Sequence, residues 1–355
     1  MEVPLIKVDQ LFENVNYLTS QFVVSSNVYK DFLRFSGRFI NNQGGGKGYT
    51  IANQMLIYGF NSGARLCYDE ATWNSMGISV IKPEEPIHVM QKSNAEKGYK
   101  DRIVYDISST NAAPLQDVAG PDPGTMCEML MKAAPCKIEF TKVSASGMAN
   151  YNHDTNKISV GKGFTGFEHI FMEMCRVYGH YYIAKDDEAR HKQIYDKRAA
   201  EPPKEVVLKD AYYKYVEGKY YEITDTDKIK SEADGKLFLV ERDPGGSLYK
   251  VPVIKQQEKV KADEVKVPQF VYRKGMYKED VTGISYMVSS AVGINTDIYK
   301  DFQNLNWREF KPEEVRRSLD RIVNISRLIK HNYDEKLNEL IKAQSASAGY
   351  ESEVM

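Results

Sequence analysis

The stretch after Pro312 limits the possible folds more than any other part of the chain. Val315, Leu319, Ile322, Ile325 and Ile329 recur at helical spacing behind a proline in the first turn, which predicts one helix over about 312–344. A stripe that long has to be covered by a sizeable core. The chain has 355 residues, 42% of them hydrophobic, enough for two or three domains. The tail SASAGYESEVM is expected to be frayed.

Composition narrows the class. No apolar run approaches the roughly 18 residues of a membrane span. The start, MEVPLIKVDQLFENVNYL, lacks the basic-then-apolar pattern of a signal peptide, so a soluble cytoplasmic protein is expected. Cys67, Cys127, Cys136 and Cys175 form no CxxC pair, which suggests neither a disulfide framework nor a thiolate zinc site. The net charge is −1, and residues 1–110 hold eleven Lys/Arg against eleven Asp/Glu. A bulk polyanion binder usually shows a basic excess. Any nucleic-acid contact must therefore come from local cations and stacking, for which 24 tyrosines, 14 phenylalanines and 2 tryptophans are available.

Along the chain, residues 9–40 read as helical, with Asp9 as N-cap and a second helix over about 28–40. NNQGGGKG breaks that pattern, and a third helix is predicted over about 49–59. Short strands follow near 65–68, 86–91 and 102–107, with Trp73 on a short helix between them. Residues 111–124 are small, polar and proline-containing, as in a linker. A helix near 124–134, a strand at 137–141, a hairpin at YNHDTNKISV and a helix over 164–184 come next. Residues 204–266 read as hairpin strands around turns at Glu217-Gly218 and Asp243-Pro244-Gly245-Gly246. Helices return at about 277–291 and 297–303.

Two local patterns suggest chemistry. Arg34 and Arg38 share one helix face at i,i+4 spacing, and Phe35 and Phe39 share the next. A basic face beside aromatic rings suits a single strand, held by cations at phosphates and rings under bases. The same pattern also describes a core face beside a solvated one. GGGKGY lacks the spacing and the Ser/Thr of a phosphate loop, which leaves Lys47 as a phosphate contact on a loop.

Three stretches together resemble the ArdC-like antirestriction proteins of plasmids and conjugative transposons. They are YTIANQMLIYGFNSGARLCYDEATWNSMGISVIKPEEPIHVM with RIVYDISST, then YNHDTNKISV with FEHIFMEMCRVYGHYY, and DVTGISYMVSSAVGINT. Lys82-Pro83-Glu84-Glu85-Pro86 departs from the family by placing prolines where its turn has glycines, and residues 204–266 look like an insertion. The resemblance implies an α+β fold: a small single-strand DNA-binding-like domain over 1–110 and a 111–124 linker, then a degenerate zincin-like domain over 125–203 and 267–355. The β-rich insertion at 204–266 interrupts that second domain, which ends in the long helix. It adds Tyr49, Asn53, Tyr58, Trp73 and Lys82 to the expected DNA contacts Arg34, Phe35, Arg38 and Lys47. A lone tryptophan is more commonly a core residue.

The family's protease-like helix carries His-Glu-x-x-His, in which two histidines one turn apart reach a zinc and the glutamate activates its water. Aligned on Tyr178-Gly179-His180, the motif falls on Met172-Glu173-Met174-Cys175-Arg176. Glu173 keeps the general-base position, while a thioether and a guanidinium replace the ligands. The third ligand falls near Thr282, with Glu279 and Asp280 beside it. A different metal set of His153, His169, Glu173 and Asp280 is the weaker alternative. The packing alternative places Glu173 in an ion pair with Arg176.

These readings predict a non-catalytic single-stranded-DNA-binding protein of a mobile element, with antirestriction or protection of transferred DNA as its role. No cofactor is expected, and zinc is the minor alternative. The competing functions are an active zinc metallopeptidase and a pseudo-protease that binds a host or element-encoded protein. No membrane partner is expected, and the sequence gives no oligomeric state.

Overall fold

Ser25 divides the first helical stretch in two. In the computed structural model its backbone is extended and its hydroxyl accepts from the Val28 amide, so α1 (Val8–Val24) ends and α2 (Ser26–Arg38) begins there. Residues 6–40, 48–93, 98–115, 120–141, 149–162, 164–200, 212–216, 219–242, 248–255, 270–298 and 310–353 are described. Lys47 and the turns at Glu217-Gly218 and Asp243–Gly246 lie outside them. The N-cap of α1 is Lys7 rather than Asp9, which sits in the first turn, where a negative charge suits the helix dipole.

Thr50 caps α3 (Ile51–Phe60) through the Asn53 amide. Then come β1 (Cys67–Tyr68), α4 (Glu70–Ser75), β2 (Ile87–Lys92) and β3 (Tyr99–Asp106), the strands forming an antiparallel sheet ordered β1-β3-β2. Asp122 caps α5 (Pro123–Lys132), with Pro123 in the first turn. A second sheet joins β4 (Lys137–Phe140), β5 (Ala149–Asn152) and β6 (Lys157–Val160) in the order β4-β6-β5, with β4 parallel and β5 antiparallel to β6.

The following helix, α6 (Phe167–Ala200), outruns the predicted 164–184. Strands β7 (Tyr212–Val216), β8 (Lys219–Ile223), β9 (Lys230–Ser231), β10 (Leu237–Arg242) and β11 (Leu248–Lys255) come next. Helices α7 (Lys278–Ala291) and α8 (Pro312–Glu353) complete the order. The helix expected at 297–303 is a 3-10 turn at Thr296–Ile298, with 299–309 outside the described residues. The tail expected to fray continues α8 to Glu353.

Contacts divide the chain into two compact units, Met1–Glu188 with Val271–Met355, and Ala189–Phe270. The first is built around α7, in which every residue from Asp280 to Ser289 is buried. Phe171, Met172, Met174, Cys175 and Tyr178 of α6, and Val315, Leu319, Ile322, Ile325 and Ile329 of α8, join the same core. So do Leu11, Val15 and Phe22 of α1 and Phe32 and Phe35 of α2. The helices before residue 60 therefore share one apolar interior with α6, α7 and α8. Two glycines permit the close approaches. A Cβ on Gly37 would meet the Met287 carbonyl at 2.8 Å, and one on Gly283 would meet Ile322 Cδ1 at 2.6 Å.

The second unit holds a five-stranded antiparallel sheet ordered β8-β7-β11-β10-β9. Its small core comprises Leu239, Val251 and Val253, packed by Tyr212, Val216, Ile223, Ile229 and Leu237. The period of two sends alternate residues to the opposite face. Among the described residues, no helix is long and apolar enough to cross a membrane.

Candidate functional site

Helix α6 presents two different faces. Met172 is fully buried and its carbonyl accepts a 2.6 Å hydrogen bond from Ser285 Oγ of α7. One residue on, the Glu173 side chain is 8% exposed and gripped by Arg176. Nη2 donates to Oε2 at 2.7 Å and Nε to Oε1 at 3.1 Å, a fork against a carboxylate. Arg176 also donates to the Ala149 carbonyl of β5 at 3.2 Å, which ties the helix to the second sheet.

His180 continues this face, its Nδ1 2.8 Å from the Tyr272 hydroxyl. Burial, together with the charges of Arg176 and Lys274, pushes the imidazole pKa down to about 3, so it is neutral near pH 7. Burial also lowers the Lys274 ammonium, helped by Arg176, and that ammonium reaches Asn150 Oδ1 at 2.5 Å. Tyr272 stacks on Tyr277, with ring centroids 5.8 Å apart and planes 7° from parallel, and the His153 ring lies 6.1 Å from it in a tilted arrangement. Burial first, and then neighbouring Tyr277 and Asp187, raise its phenol pKa.

These residues do not fit a metal. A buried carboxylate neutralised by a guanidinium, with a second cation near the His180 imidazole, is a poor electrostatic host for a divalent ion. The alternative ligand set is not assembled either. His169 Nδ1 pairs with Thr165 Oγ1 at 3.0 Å. Asp280 is held by Ser318 and Arg321 of α8. Its carboxyl pKa is raised by burial, against the opposing pull of those two partners. Thr282, at the expected third-ligand position, donates back to the Lys278 carbonyl of its own helix at 2.7 Å. Among the described residues, no group of three or more His, Cys, Asp or Glu side chains could hold a metal ion.

Eight of the nine expected DNA contacts are among the described residues of the first unit, and four of them are interior. Phe35 is 0%, Trp73 1%, Tyr49 7% and Asn53 8% exposed. Trp73 Nε1 donates to the Tyr105 carbonyl at 3.0 Å within a small satellite core. Tyr49 donates to the Cys67 carbonyl at 2.8 Å. Asn53 clamps α3 to β2 through a reciprocal pair with the Met90 backbone, at 2.8 and 2.9 Å. Tyr58 is half-buried, edge-on to Phe32 and Phe35. None of the buried rings offers a face to a base. The physical reason is the helical period, which sent the phenylalanines of α2 to the core and its arginines outward.

The cations differ among themselves. Arg34 is held by Asp31 at 3.2 Å and Asp297 at 2.8 Å and donates to the Tyr286 hydroxyl at 2.7 Å. Lys82 lies 3.5 Å from Glu85. Arg38 is exposed, with a 3.5 Å bond to the Ser62 carbonyl and its guanidinium 5.7 Å from the Phe35 ring centre. Tyr272 escaped the sequence reading because no motif surrounds it and 92 residues separate it from His180.

The chain is similar to two crystal structures of the antirestriction protein ArdC from plasmid R388, the family whose motifs its sequence resembles. The metal-free structure is 9% identical, covering 86% of this chain and 98% of that one, with a TM-score of 0.37. The Mn(II)-bound structure is 11% identical, covering 85% and 97%, with a TM-score of 0.40. Similarity at this level transfers no residue roles. No protein-family model matches the sequence, and no curated protein does.

Proposed function

We propose that this chain acts by binding rather than by hydrolysis, as a single-stranded-DNA-binding protein with an antirestriction role in the setting of a plasmid or other mobile element. The observation that carries the non-catalytic part is the fork between Arg176 and Glu173. A general base must be free to accept a proton from water, and this carboxylate already shares both oxygens with a guanidinium in a buried place. Within this reading, residues 1–110 are the DNA-contacting part and 125–203 with 267–355 the degenerate zincin-like part. Among the described residues Arg38 is the exposed cation of the expected set, so it is the phosphate contact this reading favours.

The test has two arms. A labelled random single strand should bind the full chain at low salt, and the affinity should fall as salt rises. No binding at low salt removes the DNA part. Metal analysis of protein purified without chelator, paired with a peptidase assay, addresses the other part. Stoichiometric zinc together with Glu173-dependent cleavage would replace this proposal with the metallopeptidase reading.

A further inference from the structure

We infer that strand β4 is the docking edge for a second copy of this chain, pairing antiparallel with its own counterpart about a twofold axis at Ile138. The inference does not depend on the chain binding DNA. The sheet order β4-β6-β5 leaves β4 at an edge. The opposite edge, β5, already gives its Ala149 carbonyl to Arg176. Just past β4, the Thr141 amide donates inward to the Val160 carbonyl at 2.8 Å. Backbone groups alternate in direction along a strand, so Lys137 and Glu139 also bond toward β6, and the N–H and C=O of Ile138 and Phe140 point outward. Among the described residues nothing bonds to these outward groups.

One side of this edge is apolar. Ile138 and Phe140 line a groove of about 440 Å³ with Cys127 and Met131 of α5 and Phe167 and Ile170 of α6. Phe140 is 73% and Phe167 56% exposed. Large rings left in water beside an unpaired strand edge mark a surface that another strand can complete.

Charge selects the partner and the register. The charged strand residues on the other side of the sheet are Lys137, Glu139 and Lys157. Both lysines lie on Glu139 of their own copy, at 3.3 and 2.8 Å, so one of them is more than that carboxylate needs. The Lys137 side chain is 70% exposed and has room to turn outward. Two antiparallel registers set the outward groups of β4 against each other within the strand. Centring on Glu139 would place that carboxylate opposite its own copy, which is unfavourable. Centring on Ile138 places Lys137 opposite the partner's Glu139, and Glu139 opposite the partner's Lys137. Ile138 then meets Ile138 in a hydrogen-bonded pair, and the partner's Phe140 falls opposite Cys136 on the apolar side. A lysine on an edge strand ordinarily deters pairing. Here its match sits two residues along the same strand, and a second copy read backwards supplies that match twice.

Sedimentation velocity of the full chain over a rising concentration series tests this. The unaltered chain should pass from monomer to dimer. Lys137→Glu and Glu139→Lys should each weaken association about tenfold or more, since each sets like charges opposite one another twice across the axis. An equimolar mixture of the two variants should dimerise like the unaltered chain, because one copy then offers two carboxylates to two lysines of the other. Hydrogen exchange of the unaltered chain answers without any variant: the Ile138 and Phe140 amides should be protected at high concentration and exchange freely at low. A chain still monomeric at about 100 μM overturns the inference and leaves the edge to a strand of another protein. Variants that associate unchanged, a mixture no better than its parts, or dimers in which those two amides stay unprotected overturn it as well.

Discussion

Two aromatic sets in this chain are built from the same residue types and meet opposite fates. In the first unit, Phe35, Tyr49 and Trp73 are 0%, 7% and 1% exposed, each closed in by neighbouring helices or strands. In the second unit, Tyr215 stands 41% exposed on a sheet with one small core, on the face opposite that core. A helix of the first unit can turn its rings inward while its arginines stay outside. A single sheet cannot, because its period of two spends alternate residues on each face. Aromatic content alone therefore says little about stacking function. The number of layers covering the element decides it.

The sharpest way to break this contrast is Trp73→Ala. If the ring is core, the variant loses roughly 3–5 kcal/mol in urea unfolding. A loss under about 1 kcal/mol with strongly impaired DNA binding would make Trp73 a contact residue after all. Arg176→Met comes next, at about 3 kcal/mol, because it takes the guanidinium from the Glu173 carboxylate in a nearly dry place. Adding Glu173→Gln should recover most of that loss, and no recovery would mean that Arg176 acts chiefly through the Ala149 carbonyl.

A pH series reads the same cluster. The His180 pKa is held near 3 in the fold against an ordinary 6.5, so below pH 6.5 the unfolded chain takes up a proton that the native one refuses. Its contribution is fully present above that pH and is lost as pH falls toward 3, at no more than about 1.4 kcal/mol per unit. His180→Gln should flatten that part of the profile, and an unchanged slope would exonerate the imidazole. The smallest effect is expected on the surface of α2. Arg38→Ala should lower the slope of log affinity against log salt by about 0.7 if it meets one phosphate, and Arg34→Ala by less. Equal changes would show that the ion pairs of Arg34 open when DNA binds.

Much of the scaffold could be read from periodicity. Val315, Leu319, Ile322, Ile325 and Ile329 all turn inward, as their spacing required. The pairing of Glu173 with Arg176 was also accessible, since i,i+3 on a helix leaves them little choice. The extension of α6 was not, because from Lys185 onward the sequence is mostly charged and carries no apolar repeat to mark a helix. The fate of Trp73 and Tyr49 was illegible for another reason. Trp73 lies on a short helix and Tyr49 in the segment before α3, where burial depends on partners distant in sequence, such as Tyr105 and Arg327.

Gly37 has a bearing on how such a chain changes over generations. With room for no more than a hydrogen where α2 crosses the Met287 carbonyl, the N-terminal helices and α7 must vary together. A recombination event that replaced the first third of the coding sequence would inherit the wrong groove at that crossing unless it brought a small residue to the same place.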